Sequence, residues 1–199
     1  MQVNQRVKRT AEVRRTTNEV DVLVQLNLDG TAQIRIDTGL AFLDHMLTAL
    51  AKHARFDLVL EATGDLQVDD HHTVEDCAIA LGTAINEALG DRRGITRFGF
   101  AFVPLDEALA RAVVDLSGRP WPAINLKLIR ESIGQVSCEN LTHFMNTLAI
   151  EGRFAMHVKV LSGINDHHKA EAAFKALAVA LRSSVQISGT DIPSTKGTL

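Results

Sequence analysis

The chain carries the pattern His-His-x-x-Glu twice, at His71-His72-Thr73-Val74-Glu75 and at His167-His168-Lys169-Ala170-Glu171. Each copy runs into an alanine-rich apolar stretch with helical spacing. On a helix the first His and the Glu are four apart and the second His and the Glu three apart, so all three side chains crowd near one helix end. Adjacent histidines point about 100° apart on a helix of 3.6 residues per turn. They are awkward partners on one ion and natural ligands for two.

The duplication extends beyond the motif. Leu43-Asp44-His45 corresponds to Leu141-Thr142-His143, Arg55-Phe56 to Arg153-Phe154, and Glu19 to Gly30 matches Glu107 to Gly118 at constant offset. His45 precedes His71 by 26 residues and His143 precedes His167 by 24. One small loop deletion reconciles the halves.

Periodicity predicts the same elements in each half. In the first they are strands Ala11 to Thr17, Val20 to Leu28 and Thr31 to Ile36, the last two joined as a hairpin through Asp29-Gly30. Helix Phe42 to Ala54, strand Asp57 to Ala62 and helix Thr73 to Leu89 follow, with Asp70 as N-cap and Gly90 as a left-handed stop. In the second half, strands Phe98 to Val103, Leu109 to Leu116 and Ala123 to Leu128 precede a helix from Cys138 to Gly152. Strand Ala155 to Leu161 and helix Asp166 to Ser184 complete it. This is an α+β chain of duplicated β-β-β-α-β-α half-domains, 1–92 and 93–185, forming one compact domain with a mobile polar tail at 186–199.

The 199 residues suffice for two halves sharing one core. With 46% hydrophobic and 23% charged residues and a net charge of −3, nothing calls for nucleic acid or an anionic membrane as partner. The basic start, Met1 to Arg15, lacks the apolar segment of a secretory signal, and no apolar run approaches a membrane span. Cys77 and Cys138 fall in predicted helices and read as buried thiols of a cytoplasmic protein.

Eight ligand-type residues recur at matched positions: His45, His71, His72, Glu75, His143, His167, His168 and Glu171. Four per ion gives two His₃-carboxylate sites with room for water or substrate. A lone His is usually a hydrogen-bonded or surface residue; that reading fits His53 and His157, which have no equivalent in the other half. Ligand type alone admits Mn, Fe, Ni or Zn. Two further functions use such a centre, a dinuclear hydrolase of a small phosphorylated substrate and a non-catalytic metal-storage protein.

Several segments together resemble the imidazoleglycerol-phosphate dehydratases of histidine biosynthesis. They are Phe42-Leu43-Asp44-His45-Met46-Leu47, Asp69-Asp70-His71-His72-Thr73-Val74-Glu75-Asp76, Pro104-Leu105-Asp106-Glu107, Asp115-Leu116-Ser117-Gly118-Arg119-Pro120, Asn165-Asp166-His167-His168 and Pro193-Ser194-Thr195-Lys196-Gly197. The likeness runs from about residue 6 to the C-terminus. Residues 1–5 are too few for the phosphatase domain fused to some family members, which suggests the stand-alone form. Departures, such as Ala54 where Gly or Ser is common, remove no ligand.

The resemblance implies two four-stranded sheets sandwiching a four-helix layer (ribosomal protein S5 domain 2-like), assembled as a 24-subunit particle with inter-subunit active sites. It implies two Mn²⁺ ions per subunit, one held by His71, His143, His167 and Glu171, the other by His45, His72, Glu75 and His168. The implied reaction is dehydration of D-erythro-imidazole glycerol phosphate to imidazole acetol phosphate, through a ring made imidazolate by metal on both nitrogens. Glu171 and Glu19 are the implied proton acceptors, with Glu107 structural. Arg97, Arg119, Ser194, Thr195 and Lys196 are the implied phosphate contacts, the tail closing on the active site.

Overall fold

The computed structural model describes residues 8–199; the first seven residues of the basic start lie outside the described residues. Strands β1 (Thr10–Thr16), β2 (Val20–Asn27) and β3 (Ile34–Asp37) precede helix α1 (Ala41–Ala54), strand β4 (Asp57–Gly64) and helix α2 (His71–Leu89). The second half repeats the order: β5 (Phe98–Leu105), β6 (Ala108–Asp115) and β7 (Trp121–Asn125), a small hairpin of β8 (Ser132–Ile133) and β9 (Val136–Ser137), then α3 (Cys138–Glu151), β10 (Ala155–Ser162) and α4 (Asp166–Ser184). The sheets have matching orders, β1-β2-β4-β3 and β5-β6-β10-β7.

β2 and β6 share one alternation of burial, facing Val20, Val22, Val24 and Leu26 inward in the first half and Ala108, Ala110, Ala112 and Val114 in the second. Helix α2 packs on β1 and β2, α4 on β5 and β6, and across the middle α1 meets α4 and α2 meets α3. Both cross-layer pairs therefore join the two halves. Helices enclosed by a sheet and another helix bury most of their circumference, which explains the run of buried Ala170, Ala172, Ala173, Ala176, Ala178 and Ala180 in α4. Gly82 lets α2 approach α3, because a Cβ there would sit 2.7 Å from Glu151 Cβ.

Three local expectations are corrected. β2 and β3 do not form a hairpin: β3 pairs in parallel with β4. The chain between β2 and β3 instead folds around Asp57, whose Oδ1 accepts from Thr31 N at 2.7 Å and Gln33 N at 2.9 Å. Asp70 stands at the N-cap position of α2, but its side chain makes no cap hydrogen bond; it accepts from Ser137 N at 2.7 Å and Ser137 Oγ at 2.8 Å, while Asp69 accepts from His71 N. Gly90 takes φ 54° with ψ −128°, outside the left-handed helical region. The β8–β9 hairpin, absent from the sequence reading, carries the chain to Asp70 and the start of α3.

The tail runs back along the start of β5. Ile187 bridges Ile95, Gly94 N donates to Asp191 O at 2.7 Å, and the Arg97 guanidinium donates to Pro193 O at 2.7 Å. Cys77 and Cys138 are buried and unpaired with each other, and burial pushes both thiols up. Among the described residues no helix is long and apolar enough to cross a membrane.

Candidate metal centres and their surroundings

Each cross-layer helix pair brings two imidazoles and a carboxylate together. Between α1 and α4, His45 Nε2 and His167 Nε2 each lie 3.2 Å from Glu171 Oε2, with the two ring centroids 5.6 Å apart. Between α2 and α3, His143 Nε2 lies 2.8 Å from Glu75 Oε1, and His71 stacks on His143 at 4.9 Å. In each group one candidate donor atom per residue lies within 4.8 Å of the others. The clusters are repeat equivalents. His45 matches His143, His167 matches His71 and Glu171 matches Glu75.

The second His of each motif turns away from its cluster, as adjacent helical positions must. His72 Nδ1 meets Asp65 Oδ2 at 3.1 Å, with Glu19 Oε2 at 3.7 Å. His168 Nδ1 meets Glu107 Oε2 at 2.7 Å, and Glu107 also accepts from Asn165 N and Ile164 N. The hydrogen bond that Asp65 accepts raises the His72 pKa, and the one that Glu107 accepts raises the His168 pKa. His168 in turn holds Glu107 down at about 2, helped by the backbone N–H groups. Burial pushes Glu171 up, but Lys175, with Nζ 2.6 Å from Oε1, and His45 outweigh it and hold the carboxylate at about 2.

One chain thus divides each implied ligand set. His71 and His143 stand in one cluster and their set partners His167 and Glu171 in the other; His45 and Glu75 are likewise separated, and His72 and His168 stand apart from both. Glu19, the exposed candidate acceptor, lies beside His72 and Asp65. Sequence reasoning missed Asp65, Lys175 and Asn140, whose Oδ1 lies 3.0 Å from His71 Nδ1. It also left Glu107 structural, although the match of Glu107 to Glu19 signalled a place beside a motif histidine.

The phosphate candidates gather elsewhere. The Arg97 guanidinium pairs with Asp115 at 2.7 Å and reaches Pro193 O, next to Ser194, Thr195 and Lys196. Arg119 is exposed just beyond β6. Arg97 N donates to Ser184 O, the last residue of α4, whereas His167 is the second. At 1.5 Å per residue these lie about 25 Å apart along the helix.

A family model for imidazoleglycerol-phosphate dehydratase matches residues 38–181. The chain belongs to this family. The Candida glabrata imidazoleglycerol-phosphate dehydratase is 52% identical over 208 residues, covering 95% of this chain and 99% of that protein. The Chlorobium chlorochromatii enzyme of the same name is 53% identical, covering 95% and 96%. The Phytophthora nicotianae relative is 57% identical over 96% of this chain, and the match spans 42% of that longer protein. Among solved structures, the Staphylococcus aureus dehydratase superposes with a TM-score of 0.81 at 35% identity, covering 89% of this chain and 99% of that one. The Pyrococcus furiosus dehydratase, in complex with (S)-C348, gives 0.79 at 39% identity, covering 94% and 100%. Family membership and the two imidazole-carboxylate clusters together make this a candidate metal-dependent member.

Proposed function

We infer that the protein dehydrates D-erythro-imidazole glycerol phosphate to imidazole acetol phosphate in histidine biosynthesis. Family membership supports this reading, and the observation that carries it is the repeat-related pair of clusters, two imidazoles and one carboxylate each. The donor chemistry fits divalent transition metals, since both clusters offer imidazole nitrogen and carboxylate oxygen within ligand reach. In our reading His71, His143, His167 and Glu171 hold one Mn²⁺, and His45, His72, Glu75 and His168 another. When bound, the ions supply Lewis-acid polarisation of the substrate's imidazole ring and hold it in place.

The chain's own residues do the rest. Dehydration removes hydroxide from the ring-attached carbon and a proton from its hydroxyl-bearing neighbour; the enol left behind becomes the ketone. Glu19, exposed beside His72, is the acceptor for that proton. Glu171 has one oxygen facing two imidazoles and the other gripped by Lys175, which suits a ligand better than a base. Arg97, Arg119 and Lys196 with the Ser194 and Thr195 hydroxyls bind the phosphate, arginine through paired donors.

Such a site needs more than one subunit. Ring and phosphate in the substrate are separated by five bonds of about 1.5 Å, a span under about 8 Å. The cluster at His167 and the cations at Arg97 are about 25 Å apart along α4, so the ring end comes from one chain and the phosphate end from another. The outward histidines His72 and His168 suit completion by a neighbour. Phe98, Phe100, Phe102 and Trp121, exposed on the outer face of the second sheet, suit subunit packing. We assign the assembly as the 24-subunit particle.

The test is a product assay on imidazoleglycerol phosphate with metal-free protein refilled ion by ion. Release of imidazole acetol phosphate only on refilling supports the reading. Hydrolysis to inorganic phosphate would make the centre a hydrolase instead.

A further inference from the structure

Behind the candidate ligands stand partners of different charge, and the difference follows the two ligand sets rather than the two halves. His72 and His168 are each backed at Nδ1 by a carboxylate, Asp65 at 3.1 Å and Glu107 at 2.7 Å. His71 is backed at Nδ1 by the neutral amide of Asn140, 4% exposed. That amide also donates to Asp70, whose carboxylate is fixed by Ser137 N and Oγ. A carboxylate can only accept, so the Asn140 nitrogen faces Asp70 and its oxygen faces His71.

In the other half the position equivalent to Asn140, three before the first-helix histidine, holds Phe42. Its ring packs edge-on against His167 at 5.1 Å between centroids. His167 is thus positioned by an apolar edge.

We propose that these backing residues make the two ion positions unequal. Asp65 and Glu107 act as positioning residues that strengthen His72 and His168, so the ion of the His45, His72, Glu75 and His168 set is held more tightly. Asn140 and Phe42 orient His71 and His167 without added negative charge, leaving the other ion looser and exchangeable. A carboxylate behind a metal-bound imidazole raises its donor strength and offsets the ion's charge; losing such a partner costs about 10- to 100-fold in affinity. The inference rests on the ligand sets proposed above.

The experiment is titration of metal-free protein with Mn²⁺, read by calorimetry and by electron paramagnetic resonance of free Mn²⁺. Two steps separated by more than about tenfold in Kd are expected. Glu107→Gln should weaken the tighter step by about 10- to 100-fold and leave the looser one in place. Asn140→Asp should tighten the looser step and narrow the gap. Asp65→Asn repeats the test at the other carboxylate, should Glu107→Gln fail to fold. Two equal steps in the unmodified protein, or carboxylate variants that leave the tighter step unmoved, overturn the proposal. His168→Ala separates the two levels: if it keeps both ions at full affinity, the ligand sets themselves fail. If it loses the tighter ion while Glu107→Gln changes nothing, only the inequality fails.

Discussion

His143 Nε2 lies 2.8 Å from Glu75 Oε1, although the residues are 68 positions apart and belong to opposite halves of the duplication. The same holds for His45 and Glu171, 126 positions apart. Neither half alone builds a cluster, because helix-on-helix packing between the halves is what creates them.

Each saturated chain should therefore hold two divalent ions. His143→Ala should lower that number while leaving the fold intact, since the side chain is 36% exposed and meets the Glu75 carboxylate and the His71 ring. Elemental analysis with circular dichroism on the same sample checks both parts. One ion or none in the unmodified protein contradicts the expectation.

Glu171→Gln should behave as the loss of a ligand. Occupancy should fall at limiting Mn²⁺, and excess Mn²⁺ should restore much of the turnover. Full occupancy with turnover lowered about 10²- to 10⁴-fold would instead make Glu171 the general base.

Stability and activity should respond to pH in opposite directions. In metal-free protein, His72 and His168 have raised pKa values, so their pairing with Asp65 and Glu107 stabilises the fold fully below the ordinary histidine value of about 6.5. That contribution is lost as pH rises through the raised values. Glu107, held at about 2, keeps its side of the pair charged until strongly acid pH. The chelated protein should melt at lower temperature as pH rises from 6 to 8 on this account, while activity with Mn²⁺ should fall as pH drops through the same range, because protons compete for the imidazoles. Calorimetry under chelation and rates at two Mn²⁺ concentrations measure these. A chelated melting temperature that rises with pH in that window contradicts the first, and an acid limb indifferent to Mn²⁺ the second.

Asp166 is 1% exposed and pairs with Lys169, 5% exposed, at 2.8 Å, while accepting from Ile129 N and Arg130 N. Asp166→Asn leaves a buried ammonium without its counter-charge and should cost about 3–5 kcal/mol. Asp166→Asn with Lys169→Met should cost less. Denaturant unfolding of the two variants reads the difference, and equal losses would show that the pair itself contributes little.

Much of this was legible in the sequence because the duplication checks itself. Val20, Val22, Val24 and Leu26 fix the inward face of β2, and the repeat carries that pattern onto β6 despite smaller side chains. The two His-His-x-x-Glu motifs marked six of the eight candidate ligands, and the match of Leu43-Asp44-His45 to Leu141-Thr142-His143 marked the other two. Strand partners were not legible at β3: Asp29-Gly30 is a good turn, but nothing local reveals that Asp57, 27 residues beyond Gly30, organises the loop and that β3 pairs with β4. The N-cap position of Asp70 was legible, but the partner of its side chain, Ser137, was not, because it is distant in sequence. The residues behind the ligands, Asp65 and Asn140, show no signal until the helices pack.

The most direct measurement mixes two inactive variants, His45→Ala at the ring end and Arg119→Ala at the phosphate end, strips the mixture of metal and refills it with Mn²⁺. Sites shared between subunits predict that part of the turnover of imidazoleglycerol phosphate returns, because some sites combine an intact His45 from one chain with an intact Arg119 from another. A mixture as inactive as either variant alone, with both present in one assembled particle, would place ring and phosphate contacts in the same chain and contradict the shared site.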